Sequence, residues 1–387
     1  MGHAIQVSVN PDVLKWARES SGSTVEEAAR RLKVPPATFS KWEAAEAPLK
    51  LGQLRGLAEY FKRPLAAFLL PAPPEESGPP SDFRSLPGPQ GHFHRKTRLA
   101  IRKAIRLRSV AKDLMRAMQR EVSARLEGAT LSDKAEQIAD RERDRLALSV
   151  EDQERWENEW QAFREWRAAL ESRNILVFQF PMPVGDARGF SLSDEEPYTV
   201  AVSSSDAARA RIFTLFHEYA HLLLRTPGVC LPGPDLGTGR PEAAVEKWCN
   251  RFAGAFLVPS GALRSALPTA RLAQPGELFA SLAEGSKLFK VSQQVVLRRL
   301  LDLELVSKAS FQRAMQRLHS QEKARTRGGA IVPPPKRCVA ESGRLFTSLV
   351  LEAKGRELVT YSDVADFLSL RLKYLPEVES TLMAAVV

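Results

Sequence analysis

The sequence predicts a mainly α-helical chain with one small β-sheet, an α+β protein divided among several domains. Three observations carry that reading. Apolar residues recur at helical spacing along most of the chain. Three short runs rich in β-branched and aromatic residues cluster between residues 175 and 203. Two Pro/Gly-rich stretches, 71–91 and 323–337, interrupt the helices as linkers. At 387 residues the chain is also too long for one ordinary core.

Residues 8–70 read as five short helices. Asn10-Pro11 opens the first, with Val13, Leu14 and Ala17 on its apolar stripe. Ser23 or Thr24 caps TVEEAARRL, whose Glu26 and Glu27 suit the positive end of a helix. PATFSKWE (36–43) is the third, and two more follow around 51–61 and 64–70. Short helices with a tight turn before PPATFSKWE match a helix-turn-helix. On that reading Thr38, Ser40 and Lys41 point toward DNA, and Arg30, Arg31 and Lys33 lie near phosphates. Ala28, Leu32, Val34, Phe39, Trp42, Leu54 and Leu57 form the expected core.

Residues 92–173 read as a charged helical region. Basic residues crowd 95–108, and Trp156, Trp160, Phe163 and Trp166 recur every three or four residues, as a packing face does. The strand runs ILVFQF (175–180), GFSLS (189–193) and YTVAVS (198–203) follow. The last two are expected to form a hairpin, and either could be the edge of a three-stranded sheet. A helix over about 206–224 and another over 241–257 complete a domain at 174–265. Residues 270–322 are helical, with Ser292 capping SQQVVLRRLLDL in a second helix-turn-helix-like pattern that could read DNA or a partner. Residues 338–387 form a small helical C-terminal domain.

Composition narrows the setting. With 44% hydrophobic and 26% charged residues the chain is globular rather than disordered. Its formal charge of +10 favours acidic partners, nucleic acid foremost. Three scattered cysteines, Cys230, Cys249 and Cys338, argue against a disulfide framework. No secretory pattern opens the sequence and no run of 18 apolar residues occurs, so a cytoplasmic protein without membrane spans is expected.

The chemistry sits in His217-Glu218-Tyr219-Ala220-His221. Histidines four apart on a helix share a face, so both imidazoles reach one metal, while Glu218 is rotated to miss the metal and serve as general base. A catalytic zinc keeps three protein ligands and one open position. Glu242 and Glu246 are the candidates for the third. Glu246 is preferred, because Asn250 lies one turn further on, where it can hydrogen-bond a ligating histidine, and because Glu242 at the helix start has an ordinary dipole role. One Zn2+ per chain is expected. Tyr198 and Arg188 are candidate donors to a tetrahedral oxyanion, and the substrate is expected to add as a strand to the sheet edge, at 189–193 or 198–203.

These residues carry a resemblance. VNPDVLKWARESSG, EEAARRLKV, TFSKWE and LRGLAEYFKRPLAAFLLPAPP resemble an Xre-type helix-turn-helix. RGFSLSDEEP, ARIFTLFHEYAHLLL and EKWCNRFAGAFLVPS resemble the ImmA/IrrE family of metallo-endopeptidases, itself similar to the gluzincins. Together the two cover about residues 8–70 and 170–260. The resemblance implies His217, His221 and Glu246 as zinc ligands and Glu218 as base. It further implies an endopeptidase of narrow specificity that cuts a transcriptional repressor in stress response or mobile-element induction. Some relatives with this fused architecture resemble antitoxins, so a toxin partner, DNA at residues 8–70 and a homodimer are further expectations. The rival reading is a DNA-binding regulator or antitoxin-like protein whose protease-like part is a sensor or scaffold. The stretch AAEAPLKL departs from the DNA-binding pattern, because Glu43 and Glu46 would approach phosphates.

Overall fold

A computed structural model describes residues 5–74, 93–124, 126–226, 228–230, 241–268, 272, 274–323 and 332–383. The chain divides into two compact units, Met1–Lys103 and Ala104–Val387. Most of the expected 71–91 linker, and much of the 323–337 one, lie outside the described residues.

In the first unit β1 (Gln6–Val7), α1 (Pro11–Ser20), α2 (Val25–Leu32), α3 (Pro36–Glu43), β2 (Leu49–Lys50) and α4 (Leu51–Phe61) precede a 3-10 turn at Leu65–Leu69. Local chemistry accounts for the helix starts. The Asn10 side chain accepts from the Asp12 amide, and Thr24 and Glu27 form a reciprocal capping box. Lys33 closes α2 in the left-handed conformation, φ 58°, which opens the tight turn to α3. Leu14, Ala17, Ala28, Phe39, Trp42, Leu54, Leu57 and Phe61 form the core, with Leu32 and Val34 partly buried against it. Phe39 meets Trp42 edge to face at 5.7 Å, so Trp42 is a core residue. The short ribbon β1–β2 is antiparallel.

The contact division falls inside α5 (Arg95–Ala117). Its basic run is largely engaged within the protein. In the first unit Arg95 and Arg102 donate to the carbonyls of Tyr60, Phe61 and Lys62 at the C-terminus of α4, where cations meet the negative end of the helix. In the second unit Arg108 is buried against Asp194 (2.6 Å), and Arg106 pairs with Asp366.

The second unit continues with α6 (Ala135–Leu146), α7 (Val150–Arg155), α8 (Glu159–Glu171), β3 (Leu176–Phe180), β4 (Gly189–Leu192), β5 (Thr199–Ser203), α9 (Ala208–Leu223), β6 (Gly228–Cys230), α10 (Pro241–Leu257) and α11 (Ser260–Ala266). Then come α12 (Pro275–Leu288), α13 (Gln293–Asp302), α14 (Lys308–Lys323), α15 (Pro334–Ser342), α16 (Arg344–Gly355), α17 (Tyr361–Phe367) and α18 (Leu375–Met383). The three predicted strands form and a fourth joins them, in the order β3-β5-β4-β6. β3 runs parallel to β5, and the other pairings are antiparallel, the predicted hairpin β4–β5 included.

One expectation is corrected here. Both proposed edge strands, 189–193 and 198–203, are inner strands, and the outer ones are β3 and β6. The cause is non-local, since β6 is only three residues long and the parallel partner of β3 is two strands away in sequence. Within the helix-turn-helix-like pattern at 270–322, α13 turns one face into the core. Val296, Leu297, Arg299 and Leu300 of α13 are buried, and Arg299 donates to Val258 O at 2.8 Å and pairs with Glu136.

The core is shared across the expected domain boundaries. Trp156, Phe163 and Trp166 from the 92–173 region pack with Phe216 of α9, Phe256 of α10 and Val296 of α13 in one cluster. Trp166 meets Phe216 and Phe256 edge to face at 5.0 and 5.3 Å. Trp160 alone of the aromatic stripe is half exposed, under Arg211. The C-terminal helices cover the β3 side, where Phe346 stands edge to face on Phe178. α15 begins at Pro334, inside the expected second linker, with proline preset for the first helical position.

Candidate metal centre

α9 brings His217, Glu218 and His221 into the core, all three at least 98% buried. α10 packs across it and supplies Glu246 and Asn250. The two Nε2 atoms are 3.3 Å apart, and Glu246 places Oε2 3.1 Å from His217 Nε2 and Oε1 3.2 Å from His221 Nε2. Donors about 2.0–2.1 Å from one ion at tetrahedral angles stand about 3.3 Å apart. The three residues bring donors close to the spacings of a tetrahedral site, and they are the His/Cys/Asp/Glu group among the described residues that could hold a metal. Glu246 is one quarter exposed, so the cluster opens toward solvent on the carboxylate side. The side chain of Glu242 lies outside the described residues.

The outer ring nitrogens have acceptors of their own. His217 Nδ1 lies 3.1 Å from Asn250 Oδ1, and His221 Nδ1 lies 3.3 Å from Thr226 Oγ1. With each Nδ1 as donor, such contacts orient both Nε2 atoms inward. The charges respond accordingly. Burial opposes charge on His217, yet Glu246, Glu218 and Asn250 together hold its pKa above the ordinary imidazole value. Burial likewise opposes charge on Glu246, but the two imidazoles hold its carboxyl well below the usual range. For Glu218 burial prevails and raises its pKa, against the pull of the imidazoles and the Ser191 hydroxyl.

The sheet sets the position of Glu218. A Cβ on Gly189 would collide with Thr214 Cγ2, stand 2.9 Å from Ala201 O and 3.4 Å from Glu218 Cγ, so only glycine lets β4 lie this close to α9. Ser191, fully buried, follows on the same face of β4. Behind the helix, Tyr219 OH donates to the buried Glu142 carboxylate at 2.7 Å, which fixes the rotation of α9. Glu142 also accepts from Arg141 (3.2 Å) and Arg145 (2.9 Å). Gly189, Ser191, Thr226 and Glu142 escaped the sequence reading. A glycine inside a strand run was the one available signal.

The oxyanion candidates are Arg188 and Tyr198. Arg188 is engaged with Asp206 at 2.9 Å. Tyr198 precedes the end of β5 that pairs with Leu192, whereas Glu218 meets Gly189, opposite Val202. Four residues of strand put Tyr198 about 13 Å further along.

Residues 170–301 match the IrrE N-terminal-like domain of peptidase M78. Ahead of it, residues 12–68 match a helix-turn-helix domain. No curated protein matches the chain, and no solved structure matches it. The M78 match spans α9 and α10 with every residue of the metal cluster, but begins after Trp166 and most of α8.

In the helix-turn-helix domain, Arg30, Arg31, Lys33, Ser40 and Lys41 are exposed and Thr38 is half-buried. Arg31 leans toward Glu59 at 3.7 Å. Glu43 does not present a bare charge, because Arg18 holds both its oxygens at 2.8 and 3.1 Å. Glu46 is exposed. No described helix is long and apolar enough to cross a membrane.

Proposed function

We propose that this chain is a zinc-dependent endopeptidase of narrow specificity that cleaves a regulatory protein, a transcriptional repressor by preference, under the direction of its helix-turn-helix unit. The convergence of His217 Nε2, His221 Nε2 and the Glu246 carboxylate at tetrahedral spacing carries the reading. His217, His221 and Glu246 would hold the ion, and bound zinc would supply Lewis acidity that brings the pKa of a water toward 7. Glu218 takes a proton from the attacking water, whose oxygen bonds to the scissile carbonyl carbon. As the C–N bond breaks, Glu218 returns that proton to the leaving amine. Burial raises its pKa, which makes the carboxylate a stronger base toward the attacking water. With β3 and β6 as the outer strands, an extended substrate adds along β6, next to the strand that carries Gly189 and Ser191.

Glu218→Gln tests the reading. The variant should keep about one zinc per chain and lose cleavage of a co-expressed repressor by several orders of magnitude. Cleavage at the wild-type rate would sink it.

A second reading has its own support in the exposed Arg30, Arg31, Lys33, Ser40 and Lys41 of the helix-turn-helix unit. There the chain is a DNA-binding regulator or antitoxin-like partner of a small toxin, and the metal site is a sensor. Under that reading Glu218→Gln leaves regulation intact, and Lys41→Ala weakens a salt-sensitive gel shift.

A further inference from the structure

The two histidines anchor their outer nitrogens differently. His217 uses an amide oxygen on the helix that also carries Glu246. His221 uses Thr226, which belongs to no helix and reaches the site through the way α9 ends. Leu224 caps the helix, Arg225 takes the left-handed conformation (φ 51°), and two amides turn back. Arg225 N donates to Leu222 O at 3.1 Å and Thr226 N to His221 O at 3.0 Å. This pairing is a Schellman stop. It folds Thr226 over the last turn, so one residue caps the His221 carbonyl with its amide and meets the His221 ring with its hydroxyl. Two residues later the chain enters β6, which pairs with β4 at Gly189↔Cys230.

We propose that Thr226 is a positioning residue of the metal centre: its hydroxyl accepts the His221 Nδ1 proton and so fixes the tautomer that leaves Nε2 for the ion. The proposal rests on the metal-site reading above. A free imidazole in water exchanges its proton between both nitrogens, and a ring held by one hydrogen bond is pre-set for ligation. The helix stop thus supplies an orienting partner that no motif at fixed spacing would reveal. It also ties the ligand to the β4–β6 pairing that flanks Glu218.

Thr226→Val keeps the shape and the main-chain cap but removes the hydroxyl. Zn2+ affinity of the full chain, read by competition with a chromophoric chelator, should fall about 10–100-fold. Thr226→Ser should return it to within a few-fold of wild type. Nitrogen chemical shifts of the zinc-loaded protein should show the His221 proton on Nδ1 in wild type and Thr226→Ser. Thermal unfolding of the metal-free chains reports folding, and if the valine variant fails to fold, Thr226→Ala against Thr226→Ser carries the same comparison. Unchanged Zn2+ affinity in the hydroxyl-free variant overturns the positioning role and leaves the metal site standing. A wild-type chain that takes up no Zn2+ overturns the metal site itself, and the inference with it.

Discussion

Glu171 and Glu246 are two largely buried carboxylates in opposite surroundings. Around Glu171 donors face acceptors. Arg167 Nε lies at 3.0 Å, the amides of Arg344 and Leu345 reach it at 3.1 and 3.3 Å, and Arg167 extends to Ala340 O at 2.5 Å and to Val177 O on β3. Gly343 (φ 82°) makes room, because any Cβ there would collide with Glu171 and Arg167 and stand 2.9 Å from Val177 O. Around Glu246 the partners are two imidazoles, their Nε2 atoms 3.3 Å apart and each 3.1–3.2 Å from one carboxylate oxygen. The first cluster is complete in itself and fastens the C-terminal helices to the sheet. The second opens toward solvent at its carboxylate, and its two imidazoles and carboxylate are a donor set that accommodates a metal cation.

The largest expected effect separates the two clusters by metal content. His217→Ala and Glu246→Ala should each lower zinc from about one per chain to none, read by elemental analysis, while Glu171→Ala keeps full stoichiometry. Zinc retained in both site variants would remove the contrast.

Stability should separate them in the other direction. Glu171→Ala leaves the Arg167 guanidinium buried without its counter-charge and should cost about 3–5 kcal/mol in denaturant unfolding. Zinc at about 100 times its Kd should stabilise wild type and Glu171→Ala alike by about 2.7 kcal/mol, and Glu246→Ala not at all. A metal-dependent increment that vanishes in Glu171→Ala would mean the two clusters are not independent.

Close packing of β4 on α9 is expected to matter next. Gly189→Ala should destabilise by about 1–3 kcal/mol through overpacking, with part recovered in Thr214→Ser, which removes the colliding methyl. No recovery would assign the strain to Ala201 O instead.

The smallest effect concerns Asp194, the half-exposed partner of the buried Arg108. Burial alone would raise the Asp194 pKa, but Arg108 overcomes it and holds the carboxyl below its ordinary 3.8. A lowered folded pKa contributes stability that is present above about pH 4 and lost as pH falls through the folded value. Asp194 is half exposed, so the contribution should be a few tenths of a kcal/mol to about 1 kcal/mol. Asp194→Asn should remove that acid-side slope from stability measured between about pH 5 and pH 2; an unchanged slope would show that the pair contributes nothing.

What the residues determined by themselves was local. Ser23 or Thr24, and Ser292, announced helix starts, and Thr24 and Ser292 do cap there, because a cap and its amide lie within three residues of each other. His217 with His221, and Glu246 with Asn250, could be placed on common faces because a helix turns once in four residues. Only the tertiary structure decided the rest. It made β4 and β5 inner strands, and it drew Trp166 from the supposed insert into the core against Phe216 and Phe256. It also tied Arg18 to Glu43 and Arg108 to Asp194, pairs 25 and 86 residues apart. Periodicity records which face of an element is buried but not which element buries it, and a charged side chain carries no mark of its distant partner. The histidine helix was therefore legible from its spacing and Glu246 from its place on the next helix, while Thr226 and Gly189 required the fold.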